Sequence, residues 1–527
     1  MSRTPMFRAL RRHWRNAAAA PSPGVTRRGF LAGSSRLAAT AALAPATLAA
    51  CAAPMTGGAS TAEPVAIIGA GLAGLSAAHA LAKAGRPFTI YEASGRVGGR
   101  VWTYDGFNAG GQFVELGAEL IDTGHEDLRR LCAELRVPLR KFSDPPAGVE
   151  LELIHVGGRV YTGRQFEDGL KPLIAAVARA RREIAGGAKD VSVTFDAPMN
   201  AAAFDRMTLA EFLDQQRDVE PWVRTAVRVA YVGEMGREAD EQTSLNLILL
   251  MDPAQHGLYG ESDEAWRIEG GNSRLVDALR RAVAARVDGG EDRAIQLRHD
   301  LVAIRDDGRR LHLSFDNAGR RVEVSARQVL MTIPFSVLRD VDGVRALDLQ
   351  PAKKRSIAEY GYGTNTKAMT DYRSRFWRAP GALPPFAGFL TTDSGHQNFW
   401  ETSRDQAGAN GVLTNFLGGR AGAAFTADAH AATLRFLGSL DPRAGAEATG
   451  VRMFMNWSRY RHARGSYSSP LAGQYTAFFG VEGRPELGGR LLFAGEHASV
   501  EHSGFMNGAI ETGLKAARAV QSTAAVA

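Results

Sequence analysis

Apolar residues recur along this chain in two alternating spacings, and the switches between them mark out its elements. Val65-Ala66-Ile67-Ile68 is an unbroken apolar run of strand length. A glycine turn follows, and residues 72–84 carry apolar positions at helical spacing until Gly85 stops them. Residues 88–91 are a second apolar strand, so the segment predicts a β-α-β unit with parallel strands. The middle of the chain is mixed. Residues 171–184 predict a helix, and Thr208 with Glu211 three places on predicts a capping box opening another. From 295 to 333 the period shortens to strands at 295–297, 301–304, 311–315, 322–324 and 328–333. A second strand-rich stretch covers 360–417, and residues 490–522 are strand, turn and helix. The pattern predicts an α/β fold built on a Rossmann-type dinucleotide-binding domain, with no internal repeat.

Composition changes this picture at one end only. The 527 residues suffice for two associated domains, and 45% hydrophobic with 23% charged residues is ordinary for a globular chain. The net charge of +7 hints at a polyanion partner, but residues 1–51 hold eight arginines and no acid. Without them the body sits near −1, which excludes nucleic acid as an expected partner. Thr26-Arg27-Arg28-Gly29-Phe30-Leu31 and the Ala-rich stretch after it resemble a bacterial twin-arginine (Tat) signal, the export route of folded proteins. That implies contact with the Tat translocase and a periplasmic or cell-envelope location. Leu48-Ala49-Ala50-Cys51 resembles a lipobox, implying a lipid anchor on Cys51, with cleavage after Ala52 as the alternative. Residues 52–63 predict a flexible tether. With Cys51 and Cys132 the only cysteines, neither a disulfide framework nor a cysteine metal site is available, and no metal is expected. Cys132, in a helical pattern, is expected to be a buried structural thiol. The arginines 179, 181 and 182 are expected to form one solvated helix face.

Candidate chemistry begins at Gly69-Ala70-Gly71-Leu72-Ala73-Gly74, a dinucleotide fingerprint between the first strand and its helix. Gly69 permits the turn, Gly71 lets backbone approach a pyrophosphate, and Gly74 allows close helix–strand packing. Glu92, at the end of the second strand, can accept from ribose hydroxyls. The fingerprint alone does not choose between NAD and FAD. Its continuation, Glu92-Ala93-Ser94-Gly95-Arg96-Val97-Gly98-Gly99-Arg100, resembles the signature of the flavin-containing amine oxidases, the family of monoamine, polyamine and L-amino-acid oxidases. Further segments are similar to that family in the same order. They are Val114-Glu115-Leu116-Gly117-Ala118-Glu119, Gly270-Gly271-Asn272 with Leu275, Val302, residues 329–334, Phe493-Ala494-Gly495-Glu496-His497, and residues 503–509.

The resemblance implies FAD, and it implies interleaved domains. FAD-binding segments would be 64–145, 265–336 and 456–527, and an α+β substrate domain would take 146–264 and 337–455. It also implies a set of FAD contacts. Gly69, Gly71, Leu72, Ala73, Gly74, Glu92, Ala93, Arg96, Gly99 and Arg100 would serve the ADP half, with Val302 backbone facing the adenine. Gly117, Ala118, Glu119 and Leu120 would lie beside the flavin ring. Gly495 and Glu496 would meet the ribityl chain, and Gly504, Phe505 and Met506 would bring a helix start to the flavin.

For catalysis the resemblance implies Lys367, holding a water near flavin N5 for the reaction with O2, and an aromatic pair, Tyr467 and Phe505, between which the amine passes. Trp457 belongs to the same substrate segment. Ser466 stands where monoamine oxidases carry a flavin-linking cysteine, so FAD is expected to be non-covalent. Leu120 stands where L-amino-acid oxidases carry a carboxylate-binding arginine. Asp122, with Glu119 nearby, suggests a cationic substrate, though either acid could equally cap a loop or pair with a base. His497 and His502 have no partner legible in the sequence. The expected activity is oxidation of a small-molecule amine, with O2 reduced to H2O2. The alternatives are an amine dehydrogenase with a periplasmic electron carrier, an L-amino-acid oxidase, a C–C desaturase or isomerase, and a non-catalytic FAD-binding protein.

Overall fold

The computed structural model describes residues 63–253, 258 and 262–524. The expected leader, Cys51 and residues 52–62 of the tether lie outside the described residues. Among the described residues no helix is long and apolar enough to cross a membrane.

A five-stranded parallel sheet organises the cofactor half, in the order Leu491–Phe493, Val329–Met331, Val65–Ile68, Phe88–Glu92, Ile295–Leu297. The unbroken run at 65–68 is explained by what covers each face. Val65 and Ile67 pack into a core with the helices Leu72–Lys83, Ser273–Ala284 and Met506–Ala524. Ala66 and Ile68 face the antiparallel strands Asp300–Asp306, Leu311–Asn317 and Arg320–Ala326. A parallel strand buried on both sides must be apolar at every position, and each fully buried aliphatic side chain adds about 1.5–3 kcal/mol. Helix Leu72–Lys83 ends as read: Gly85 takes φ 66° and the Arg86 N–H closes back on the Leu81 carbonyl at 3.0 Å.

The other half is a seven-stranded mixed sheet in the order Ala448–Asn456, Thr366–Tyr372, Gly411–Leu417, Gln397–Glu401, Phe386–Thr392, Glu150–Val156, Arg159–Thr162. Its four inner strands from 366 to 417 are buried at every position.

Two expectations change. The helix expected at 171–184 runs Gly163–Ala185, because a capping box of Thr162 and Gln165 starts it eight residues before the apolar repeat is evident. Arg181 does not simply face water: its guanidinium donates to the Ile248 and Leu249 carbonyls, capping helix Leu245–Leu250. The Thr208–Glu211 box forms as read. Cys132 lies fully buried in the core beneath the parallel sheet, where burial pushes its thiol up to about 12.

Candidate active site

Where the parallel strands end, the first turn, helix and final segment enclose a cavity. Gly74 shows why the turn takes its shape: a Cβ there would stand 2.0 Å from the Gly69 carbonyl oxygen. Gly71 is the reverse case, since no protein atom lies within 4 Å of a Cβ built on it, and it lines the cavity. The chain therefore presents bare backbone at a helix N-terminus to open space, the geometry a diphosphate needs.

Glu92 braces this cradle. One carboxylate oxygen accepts from the Ala70 N–H (2.8 Å) and the other from the Ser94 N–H and hydroxyl (2.8 and 2.7 Å). Ala93, Gly99 and Arg100 continue the wall, and Leu72, Ala73 and Ala118 complete this side. Arg96 does not face the cavity: its guanidinium donates to the carbonyls of Val97, Val101 and Gly99 and lies 4.0 Å over the Trp102 ring. These contacts shape the Gly98-Gly99 loop.

The far wall comes from the chain's last segment. Gly495, Glu496, Phe505 and Met506 line it. Arg100 donates to a Glu496 oxygen at 2.6 Å and to the Ser466 carbonyl at 3.0 Å. Glu496 also accepts from the Ser468 N–H and hydroxyl and from the Gly504 N–H (2.7 Å). Burial alone would raise this carboxyl, but the Arg100 charge and these hydrogen bonds hold it at about 2. The Gly504 N–H is thus taken by Glu496, and the wall beyond it is formed by Phe505 and Met506 at the start of the final helix.

Several expected cofactor residues lie behind the wall. Gly117 packs too tightly for a side chain, its Cβ position being 1.9 Å from the Arg100 carbonyl oxygen. Val302 sits at a bulge with its carbonyl accepting from the Asp342 N–H, and Asp300 and Leu301 line the cavity in its place. Sequence reading missed His299, whose ring meets Tyr91 and Phe315 edge-on beside the cavity. It also missed the turn carrying Tyr460 and His462. Neither carries a local motif.

Glu119 and Leu120 instead line a smaller neighbouring cavity with Phe142, Phe389, Trp400, Glu264, Glu401 and Arg404. Lys367 is buried beside it. Its ammonium donates to the Glu115 and Gly117 carbonyls (3.1 and 2.9 Å) and to the Glu119 carboxylate (2.6 Å). Trp400 Nε1 donates to that same Glu119 oxygen at 3.2 Å. Glu115 itself is fully buried and pushed up to about 8 by desolvation.

Asp122 is a loop brace and lies outside both cavity walls. Its carboxylate accepts from the Glu264 N–H (2.5 Å) and the Ser262 hydroxyl (2.8 Å), and His125 Nε2 lies 3.2 Å away. Burial pushes it up to about 6. Tyr467 is fully buried among Phe389, Trp400 and Trp457, its hydroxyl donating to the Glu234 carbonyl at 2.5 Å. Phe505 lines the cavity with His125 against its ring at 4.9 Å. Trp457 donates to the Leu116 carbonyl (2.8 Å), fixing the segment that carries Ala118. Ser466 donates to Asn365 at 2.6 Å. His497 is buried on Phe335 and held down at about 4 by desolvation, and His502 pairs with Glu511 at 3.0 Å.

Fold and cavity together define a dinucleotide-binding oxidoreductase with a separate substrate sheet. Residues 72–521 match the family model described as flavin containing amine oxidoreductase, and the chain belongs to that family. The flavin-dependent L-tryptophan oxidase RebO of Lentzea aerocolonigenes is 27% identical over 504 residues, covering 87% of this chain and 98% of that protein. A triple mutant of putrescine oxidase superposes with a TM-score of 0.72 at 20% identity, over 87% of this chain and 99% of that one. Cyclohexylamine oxidase from Brevibacterium oxydans gives 0.71 at 22%, over 88% and 99%. The cofactor is FAD and the chemistry is FAD-dependent amine oxidation. The glycine cradle, Arg100 and Glu92 fit its diphosphate and ribose.

Proposed function

We propose that this chain is an oxidase that converts a small amine to an imine, which water hydrolyses to aldehyde or ketone, and returns the electrons to O2 as H2O2. The carrying observation is the cavity that fits FAD, whose Ala118 wall continues in sequence into Glu119, paired with the buried Lys367 beside the Phe142, Phe389 and Trp400 rings. Bound FAD supplies the acceptor for the hydride leaving the carbon next to nitrogen. Phe142, Phe389 and Trp400 share that lining with the carboxylates Glu119, Glu264 and Glu401, so an amine nitrogen reaching it would meet both rings and carboxylates. Lys367, paired with Glu119, stands beside that lining, and we assign it to the step in which negative charge develops as O2 is reduced. Ser466 offers no thiol for a flavin linkage, and FAD is read as dissociable.

A second reading, an α-amino acid substrate, is supported by the likeness to the L-tryptophan oxidase RebO; Arg404 stands in the same lining with its guanidinium donating to the Ser143 carbonyl. A stopped-flow screen of monoamines, diamines and amino acids against the bound flavin decides between them. Preferential reduction by amino acids favours the second reading, and no reduction by any compound overturns both.

The arginine-rich leader supports Tat export of the folded, FAD-loaded protein, and Leu48-Ala49-Ala50-Cys51 supports lipid anchoring. Retention of Arg27→Lys/Arg28→Lys protein in the cytoplasm is the expected result, and unchanged export overturns the reading.

A further inference from the structure

This inference rests on the FAD reading of the larger cavity. At its Glu92 end that cavity shares Ala93, Ser94, Asp300, Tyr460 and His462 with a second, wider depression whose rim carries the exposed Arg298 and Arg461. Adenosine ribose belongs at the Glu92 end of a Rossmann site, so the depression lies beside the adenosine and away from the flavin. It is framed by the loop 93–96 with Trp102, by Asp300 at the start of the strand Asp300–Asp306, and by the turn 457–464, which is anchored by the Trp457 bond to Leu116 and by Ser336 Oγ donating to the Ala463 carbonyl at 2.6 Å. Among the described residues one ion pair joins the strand to the turn: Arg461 Nη2 to Asp300 Oδ2 at 2.6 Å. Arg298 holds φ 60°, its N–H donating to the Ser94 carbonyl at 3.0 Å, and among the described residues no carboxylate pairs with it.

We propose that this depression is the port through which FAD enters and leaves, with Asp300–Arg461 as the pin that closes it over the adenosine. Asp300 lines both spaces while Arg461 lines only the outer one, so the pair sits at their common boundary. Among the described residues lining the flavin end, Gly495, Ala118 and Met506 are buried. FAD carries its negative charge on the diphosphate, and exposed arginines at the mouth raise its encounter rate at low salt. The pin is exposed on the Arg461 side, so its loss should change rates severalfold and leave affinity measurable.

The test follows release of FAD from diluted holoenzyme by flavin fluorescence, and recombination by stopped flow. Arg461→Ala should release FAD about three- to fivefold faster, and Arg461→Lys should stay near wild type. Arg298→Ala should slow recombination at low salt, with the difference vanishing at high salt. Added salt should speed release from wild type more than from Arg461→Ala, which keeps the proposal testable if one variant folds poorly. Lys83→Ala, which breaks the exposed Lys83–Glu134 pair far from the port, serves as control. Equal release from wild type and Arg461→Ala, or equal acceleration by Lys83→Ala, overturns the port. Failure of the wild-type apoprotein to take up added FAD overturns the cofactor reading of the cavity instead.

Discussion

Arg100 and Glu496 lie 396 positions apart in the chain and meet in a 2.6 Å ion pair on the wall of the FAD cavity. The contact joins the loop after the second parallel strand to the turn before the final helix. It therefore ties the two ends of the FAD-binding half around the cofactor. Both side chains are largely buried, at 17% and 6% exposure. A pair of this kind is held by its surroundings as much as by its charges, because each remaining lone pair needs a donor. Ser468 and the Gly504 N–H provide them.

Arg100→Ala should leave Glu496 as a buried, uncompensated charge, costing about 3–5 kcal/mol in urea unfolding and lowering the flavin-to-protein ratio. Glu496→Gln gives the pH arm. The Glu496 carboxyl is lowered on folding to about 2, so its stabilisation is complete above its ordinary value of 4.5 and disappears as pH falls toward 2. The Gln variant should lose less stability than wild type across that acid window.

Gly71→Ala and Gly74→Ala should separate binding from folding. At Gly71 the added methyl meets no protein atom but enters the cavity, so the apoprotein should melt near wild type and bind FAD poorly. At Gly74 it meets the Gly69 carbonyl, so the fold itself should weaken.

Glu115 runs the opposite way to Glu496. Its carboxyl is raised on folding to about 8, so the native state keeps a proton that the unfolded chain releases above about 4.5. Stability from this group is present at low pH and lost as pH rises through 8. Glu115→Gln keeps acceptors for Thr103 and the Asn272 N–H, and its melting temperature should fall less than wild type between pH 6 and 9.

Lys367→Met should leave Glu119 buried without its partner and cost about 3–5 kcal/mol. Adding Glu119→Gln should restore much of that stability. Flavin reoxidation should slow more than flavin reduction in both variants, and an unchanged oxygen rate removes Lys367 from its assigned role.

Much of the fold was legible because its signals are local. The apolar run at 65–68, the glycine turn and the helix stop at Gly85 each declare themselves within a dozen residues. The FAD wall was legible where a motif had to bare its backbone, as at Gly71. What stayed hidden depends on partners brought in from elsewhere. Asp122 reads as a substrate anchor until Ser262, Glu264 and His125 are seen to consume its carboxylate. Arg96 reads like Arg100, yet three carbonyls and Trp102 turn it inward. The Thr162 cap was missed because it precedes the apolar period by a full two turns.

If an amine gives its electrons to FAD in this cavity and O2 then removes them, both steps are visible in the colour of the bound flavin. Mixing the purified yellow protein anaerobically with a panel of amines and amino acids, then admitting air, tests them directly. The expected result is bleaching by at least one compound, and on aeration, return of colour with about one H2O2 per flavin. Bleaching without peroxide would contradict the oxidase assignment, and a flavin that no compound bleaches would contradict the whole reading.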